Sequence, residues 1–217
     1  MSDTLAELTR SLHEEQPDIE ALACMVAGNE EAIKLVIDGL TFSVERYRYN
    51  SNRVIEKVAA SFPKLVYPYW QTLAGLLESS NTYHRCSAIN VLPHLIPADG
   101  GKKFGQMFDR YFALLDDESV IPPCYIARSC PTIAFHLPDA VQRIVDMLLT
   151  IDRTHHEAGR KDLIKADIIQ ALDQLYDRVE NTDAVLRFVE NQLECSSPKT
   201  RKVAKAFLQK HGSAGQG

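Results

Sequence analysis

Two stretches of the chain match two later stretches without a gap, and both matches have the same offset. Residues 70–77 (WQTLAGLL) match residues 108–115 (FDRYFALL), and residues 85–93 (RCSAINVLP) match residues 123–131 (PCYIARSCP). Because 108 − 70 and 123 − 85 are both 38, the two segments belong to one repeated unit. A period of about 40 residues with two helices in each unit is typical of an α-solenoid. The sequence therefore predicts an all-α chain of stacked helix pairs.

Basic residues begin the second helix of most of these units. The equivalent positions hold Arg53, Arg85, Pro123, Lys165 and Arg201. Short polar turns, such as residues 116–119 (DDES), precede these helices, and residues 200–208 (TRKVAKAFL) follow the same pattern. In these features the chain resembles the HEAT-repeat (armadillo-like) family, whose second helix often begins with Arg or Lys after a turn containing Asp. The resemblance implies a right-handed α-α superhelix of about five helix pairs plus N-terminal capping helices. It also implies a structural role for the basic residues, which would pair with acidic residues of the turns.

Apolar spacing and capping residues divide the chain into helices. First helices are predicted at about 30–40, 66–78, 102–115, 139–150 and 183–193, and second helices at about 51–62, 82–94, 120–133, 161–178 and 198–210. Residues 1–28 are predicted to be capping helices, and residues 211–217 a disordered tail. The repeats fill residues 29–210, at about 29–63, 64–97, 98–136, 137–179 and 180–210. Residues 43–50 and 152–160 are predicted loops, and Pro93 and Pro131 are expected to kink or end their helices.

Composition narrows the classes of partner. The 217 residues carry a formal net charge of −5, whereas proteins that bind duplex nucleic acid usually have a basic surplus.

No apolar run approaches the about 20 residues that cross a bilayer, and the first residues lack a signal pattern, so a cytoplasmic protein is expected. The five cysteines are interpreted as buried free thiols.

One face of the predicted second helices is polar in three consecutive units. Helical angles place its members opposite the apolar columns, and they are Ser87, Asn90, His94, Tyr125, Arg128, Asp167, Gln170 and Gln174. Because second helices line the concave surface of HEAT proteins, the resemblance implies that this polar row binds a protein or peptide partner. Tyr and Arg are enriched where partners bind most tightly. A solvated face without a partner would show the same pattern.

No catalytic motif stands in the chain, and no catalytic residue, cofactor or metal site is predicted. His155 and His156 are adjacent, and adjacent side chains on a helix point in different directions, so they are not expected to chelate a metal together. The function expected from the sequence is therefore that of a non-catalytic scaffold that binds a protein or peptide on its concave surface.

Two enzymatic alternatives come from the same resemblance. Some HEAT-like proteins are alkylpurine DNA glycosylases. In that case Arg128 and residues 47–53 would contact DNA, and Asp167 would be the catalytic acid. Others are bilin lyases, but no residue of this chain specifically indicates that activity. The net negative charge argues against the glycosylase.

Overall fold

Helices account for all the regular structure of residues 3–212, which are the residues that the computed structural model describes. The chain divides into two units, Met1–Gln106 and Met107–Gly217. The first unit contains α1 (Asp3–Leu12), α2 (Ile19–Ala27), α3 (Glu30–Gly39), α4 (Glu45–Ser61), α5 (Pro63–Val66), α6 (Trp70–Leu76), α7 (Thr82–Val91) and α8 (Ile96–Asp99). α9 (Lys102–Phe112) ends in the second unit, where α10 (Ile121–His136), α11 (Val141–Leu149), α12 (Ala158–Leu175), α13 (Thr182–Glu190) and α14 (Pro198–His211) follow.

The predicted all-α class is confirmed, and each predicted helix overlaps an observed one. The predicted helix at 66–78 is interrupted, because a 3₁₀ turn at Tyr67–Tyr69 contains Pro68, which has no N–H to donate. Residues 213–217 of the predicted tail lie outside the described residues. Residue 211 belongs instead to α14, where the His211 side chain is buried. Among residues 3–212, no helix combines the length and the apolar character needed to cross a membrane.

The predicted loop at residues 43–50 is wrong, because α4 begins at Glu45. Tyr47 and Asn50 are buried on this first part of α4. The Asn50 side-chain amide donates to the carbonyl oxygens of Leu12 at 3.0 Å and Glu14 at 2.9 Å. These bonds satisfy the carbonyl groups at the end of α1, so polar residues that looked like a loop are fixed in a helix.

Helix ends are stabilised by side chains of the preceding turns. Asn81 and Ser197 accept hydrogen bonds from backbone N–H groups at the starts of α7 and α14, as their positions predict. The basic residues at equivalent positions of these two helices donate hydrogen bonds to backbone carbonyl oxygens of the turn before the helix. Arg85 donates to Ser79 O at 2.6 Å, and Arg201 donates to Cys195 O at 2.6 Å, in each case six residues earlier. Both arginines thus stabilise the turn that precedes their helix through its backbone carbonyl oxygens, and the expected pairing with an acidic residue of the turn stays a prediction.

The two prolines at matching positions behave differently. At Pro93 the α-helix gives way to a 3₁₀ turn, Leu92–Leu95, as expected for a residue that removes a helical hydrogen bond. Pro131 lies inside α10, which continues to His136. Of the two outcomes expected at this proline, a kink or an end, the end does not occur in α10.

The core of the first unit is built around α4, which packs against α1, α2, α3 and α7. Val54, Ile55 and Val58 on α4 are buried among the apolar side chains of these helices. α3 approaches α4 closely at Gly39, where an added Cβ would lie 2.9 Å from Tyr47 Cε1 and would collide with the Ser51 hydroxyl. Trp70, the first residue of α6, is also buried in this unit.

In the second unit, α12 packs against both α10 and α14. Ile126 on α10, Ile168 on α12 and Ala204 on α14 are buried in the core. Phe108 and Phe112 stack on each other with ring centres 4.4 Å apart. The apolar columns predicted for α10 and α12 are confirmed as core.

Four hydrogen bonds in the second unit join residues whose separation is within one residue of the 38-residue offset of the internal sequence match. Arg128 bonds to Asp167, and His155 to Asp116, in both cases 39 residues apart. Thr200 Oγ1 donates to Asp162 O, and His211 bonds to Asp173, in both cases 38 residues apart. A period visible in the sequence thus corresponds to contacts between successive segments of the unit.

We expect Gly39→Ala to destabilise the chain by about 1–3 kcal/mol, because the new methyl group overpacks the contact with α4. Gly105→Ala is the matched control, since an added Cβ there meets nothing within 4 Å. This helical substitution should raise stability by about 0.5–1 kcal/mol. Urea unfolding followed by circular dichroism measures both, and equal stability of the two variants would contradict the close packing of α3 on α4.

A second prediction concerns the core between α10, α12 and α14. Ile168→Ala should cost about 2–5 kcal/mol, because it leaves a cavity beside fully buried neighbours. Gln170→Ala, two residues away on the exposed side of α12, should change stability by less than about 0.5 kcal/mol. Thermal and urea unfolding measure both variants. Equal stability of Ile168→Ala and Gln170→Ala would contradict this placement of α12.

Candidate partner-binding site

The residues of the predicted polar row are divided between the two units. Ser87, Asn90 and His94 lie in the first unit. Ser87 is only 3% exposed, and its hydroxyl donates to Tyr83 O at 3.0 Å in the preceding turn of α7. The prediction that Ser87 is available to a partner is therefore wrong, because a short side chain on a packed helix bonds to its own backbone.

Asn90 and His94 are partly exposed. The Asn90 amide donates to Glu56 Oε2 at 3.5 Å. His94 lines a shallow pocket of about 280 Å³ together with Arg53, Glu56 and Lys57 from α4. These polar residues stand at the surface of the first unit as predicted, beside charges of both signs.

The second unit brings together the larger part of the row. Tyr125 and Arg128 lie on α10, and Gln170 and Gln174 lie on α12, where both glutamines are exposed. Asp167 departs from the prediction, since it is 3% exposed. The reason is its place on α12, where side chains from α10 and α14 cover it.

Two cations from the flanking helices bond to the Asp167 carboxylate. Arg128 Nη2 on α10 donates to Oδ2 at 2.8 Å, and Lys199 Nζ on α14 donates to Oδ1 at 3.0 Å. Both cationic side chains remain 55% exposed. The buried carboxylate therefore fixes two positive groups at the surface, one on each side of α12.

Tyr125 and Cys124 complete this cluster. The Arg128 guanidinium lies 5.6 Å from the centre of the Tyr125 ring, within the range of a cation–π interaction. Burial, together with the Asp167 charge, raises the pKa of the Cys124 thiol to about 12. This thiol stays protonated at neutral pH and is not a nucleophile.

The Asp167 carboxyl itself is held in its ionised form. Burial raises its pKa, but the hydrogen bonds and charges of Arg128 and Lys199 together outweigh burial, so the pKa lies below its ordinary value. A carboxyl that is buried, ionised and bonded to two cations has a structural role, and Arg128 and Lys199 carry the groups that a ligand can reach.

Lys199 was not among the residues predicted for the site. It stands two positions before Arg201, in the first turn of α14. The signal that could have found it is charge complementarity, because Asp167 on the neighbouring helix needs a cation when it is buried. Cys124, one residue before Tyr125, was interpreted as core and is half-buried.

A different group of side chains meets at the turns of the second unit. His155 and His156 follow a 3₁₀ turn, Thr150–Arg153, and precede α12, so they are not helical. Their ring centres are 4.4 Å apart, and His155 Nδ1 lies 2.6 Å from Asp116 Oδ1. The helical geometry on which their predicted divergence depends does not apply here.

The cysteines are free, as expected, but they are not all buried. Cys86 and Cys130 are buried, and Cys24 is exposed. Burial raises the pKa of the Cys130 thiol well above its ordinary value. Both buried thiols pack in the core, and the Cys130 thiol stays protonated there.

The chain matches no protein-family model and no curated protein. It is similar to two solved structures, both crystal structures of engineered proteins from the Northeast Structural Genomics Consortium. One is 19% identical with a TM-score of 0.50, and the match covers 98% of this chain and 100% of that chain. The other is 18% identical with a TM-score of 0.47, covering 99% and 98%. The likeness at a TM-score of 0.50 concerns the all-helical fold alone.

The bonds to Asp167 predict a pH-dependent stability. Because its pKa in the folded chain is lowered, the contribution is fully present above the unfolded pKa of about 3.9 and is lost as the pH falls through the folded pKa. Asp167→Asn should therefore destabilise the chain by about 1–3 kcal/mol at neutral pH, and by progressively less in acid.

Asp146→Asn provides the control for this measurement, because Asp146 is exposed on α11. Its unfolding free energy should follow that of the wild type at every pH. Urea unfolding across the acid range distinguishes the two carboxylates. A constant difference between Asp167→Asn and the wild type at all pH values would show that Asp167 is not ionised by its partners.

Proposed function

We propose that this protein is a non-catalytic interaction scaffold that binds an acidic protein or peptide segment on the face of α10, α12 and α14. The observation that carries the proposal is the pair of half-exposed cations, Arg128 and Lys199, anchored by one buried carboxylate. Cations held in place lose little side-chain freedom when they bind a partner, which favours affinity.

The surroundings of these cations suit a partner that carries carboxylates. α14 contains the basic residues Lys199, Arg201, Lys202, Lys205 and Lys210 and no acidic residue. The exposed amides of Gln170 and Gln174 on α12 add hydrogen-bond donors and acceptors, and Tyr125 adds an aromatic surface. Although the chain is acidic as a whole, this part of the second unit has a local positive charge, which steers acidic partners toward it.

The architecture that we propose for this scaffold is a HEAT-like, right-handed solenoid of about five helix pairs with N-terminal capping helices. Contacts of α12 with α10 and α14 support the pairing of successive second helices within the second unit. The hydrogen bonds between residues 38 or 39 apart support a repeat of that length. In such a solenoid the second helices line the concave surface, where the proposed partner would bind.

The DNA glycosylase alternative requires Asp167 to act as an accessible acid or base. Its carboxylate is buried and bonded to two cations, and its pKa is lowered. These properties favour a structural carboxylate, so we assign Asp167 to the support of the binding surface. Among the described residues of the second unit, no surface feature favours a bilin lyase.

Affinity capture from native lysate tests the proposal. The bait proteins are the wild type, the double variant Tyr125→Ala/Arg128→Ala, and Arg143→Ala. The double variant keeps Lys199 on Asp167, so we expect it to fold, which a melting curve checks. Arg143 is an exposed arginine on α11 that pairs with Asp109, and it controls for the loss of one positive charge.

We expect a protein to be enriched by the wild type and by Arg143→Ala and to be lost with the double variant. An acidic segment of that protein, made as a peptide, should then bind with a salt-dependent affinity. Equal capture by all three baits would place the binding surface elsewhere. Capture of nucleic acid alone, released by salt, would contradict a protein partner and favour the glycosylase class.

A further inference from the structure

Asp116, His155 and His156 converge in the second unit although they come from two turns. Asp116 ends the 3₁₀ turn Ala113–Asp116, and the two histidines precede α12. One ligand atom from each of the three side chains lies within 4.8 Å of the other two. His155 is tied to Asp116 twice, since its backbone N donates to Oδ1 at 2.8 Å and its Nδ1 lies 2.6 Å from the same oxygen.

His156 supplies a second, independent observation at this cluster. Its side chain is only 6% exposed, and its Nε2 is buried without a hydrogen-bond partner among the described residues. A buried imidazole nitrogen that has no hydrogen-bond partner is available as a metal ligand, which is a common role of neutral histidine.

We propose that Asp116, His155 and His156 form a binding site for a divalent transition metal ion, with Zn²⁺ as the best match. Two imidazole nitrogens and one carboxylate oxygen are the donor set that Zn²⁺ accepts, and Co²⁺ and Ni²⁺ bind similar sets. Calcium and magnesium are disfavoured, because they prefer oxygen ligands. The coordination positions that the protein leaves open are taken by water.

Small side-chain rotations bring the three groups to bonding distance. Donor atoms of a tetrahedral Zn²⁺ site lie about 3.3 Å apart when each bond is about 2.0–2.1 Å long. Asp116 and His155 are more than half exposed, so both side chains can rotate toward His156, which packing holds in place. Lys161 opposes the ion electrostatically, but its Nζ is bonded to Asp152 O at 2.9 Å.

A bound ion would connect the turn that follows α9 to the turn that precedes α12. These turns are 39 residues apart in the chain, and the bond between Asp116 and His155 already links them. The metal therefore acts as a clamp between successive segments of the second unit, and its binding stabilises the folded chain.

Isothermal titration of the tag-free, chelator-treated full chain with ZnCl₂ alone tests the site. One ion per chain is expected, and a saturating excess should raise the melting temperature by about 5–10 °C. Co²⁺ in place of Zn²⁺ should give the visible absorption of a tetrahedral site. His155→Gln and Asp116→Asn change exposed residues, so they should fold normally and weaken binding by at least about tenfold.

His13→Gln and Asp109→Asn are the matched controls, because both residues are exposed and lie outside the cluster. They should bind Zn²⁺ as the wild type does. His156→Gln should abolish the cobalt spectrum, and the two exposed variants carry the test if it fails to fold. The proposal would be overturned by any of three results. Zn²⁺ binding could be unchanged in His155→Gln and Asp116→Asn, it could be weakened equally by the control substitutions, or the wild type could show no stoichiometric binding.

Discussion

The buried carboxylate of Asp167 is the interaction on which the second unit and its surface both depend. A charge out of water is costly unless opposite charges and hydrogen bonds compensate for it. Arg128 and Lys199 provide this compensation from the helices on either side of α12. Because each cation is half exposed, the interaction that joins three helices also determines where two positive groups stand on the surface.

Much of this arrangement could be predicted because it follows from local periodicity. The apolar columns of α10 and α12 give the core side of each helix, and Asn81 and Ser197 mark helix starts through capping chemistry that involves neighbouring residues only. The exposure of Arg128, Gln170 and Gln174 follows from the same helical angles.

The features that the sequence did not predict depend on contacts between distant segments. The burial of Asp167 requires side chains from two other helices, and α4 begins early because Asn50 bonds to carbonyls at the end of α1. The convergence of His155 and His156 on Asp116 depends on a non-helical turn and on a partner 39 residues earlier. Helical angles within one helix do not show which distant side chains come into contact. The register of the internal match, in contrast, indicates which distant segments of the second unit lie next to each other.

The hydrogen bonds described for the second unit have a kinetic consequence, because they connect segments separated by similar, moderate stretches of chain. The bonds from Asp167 span 39 residues to Arg128 and 32 to Lys199, and that between Arg178 and Ala134 spans 44. The entropy of loop closure grows slowly with length, so each of these contacts costs nearly the same to form. None of these contacts is therefore much slower to close than the others, so no single one of them is expected to limit the folding of the unit.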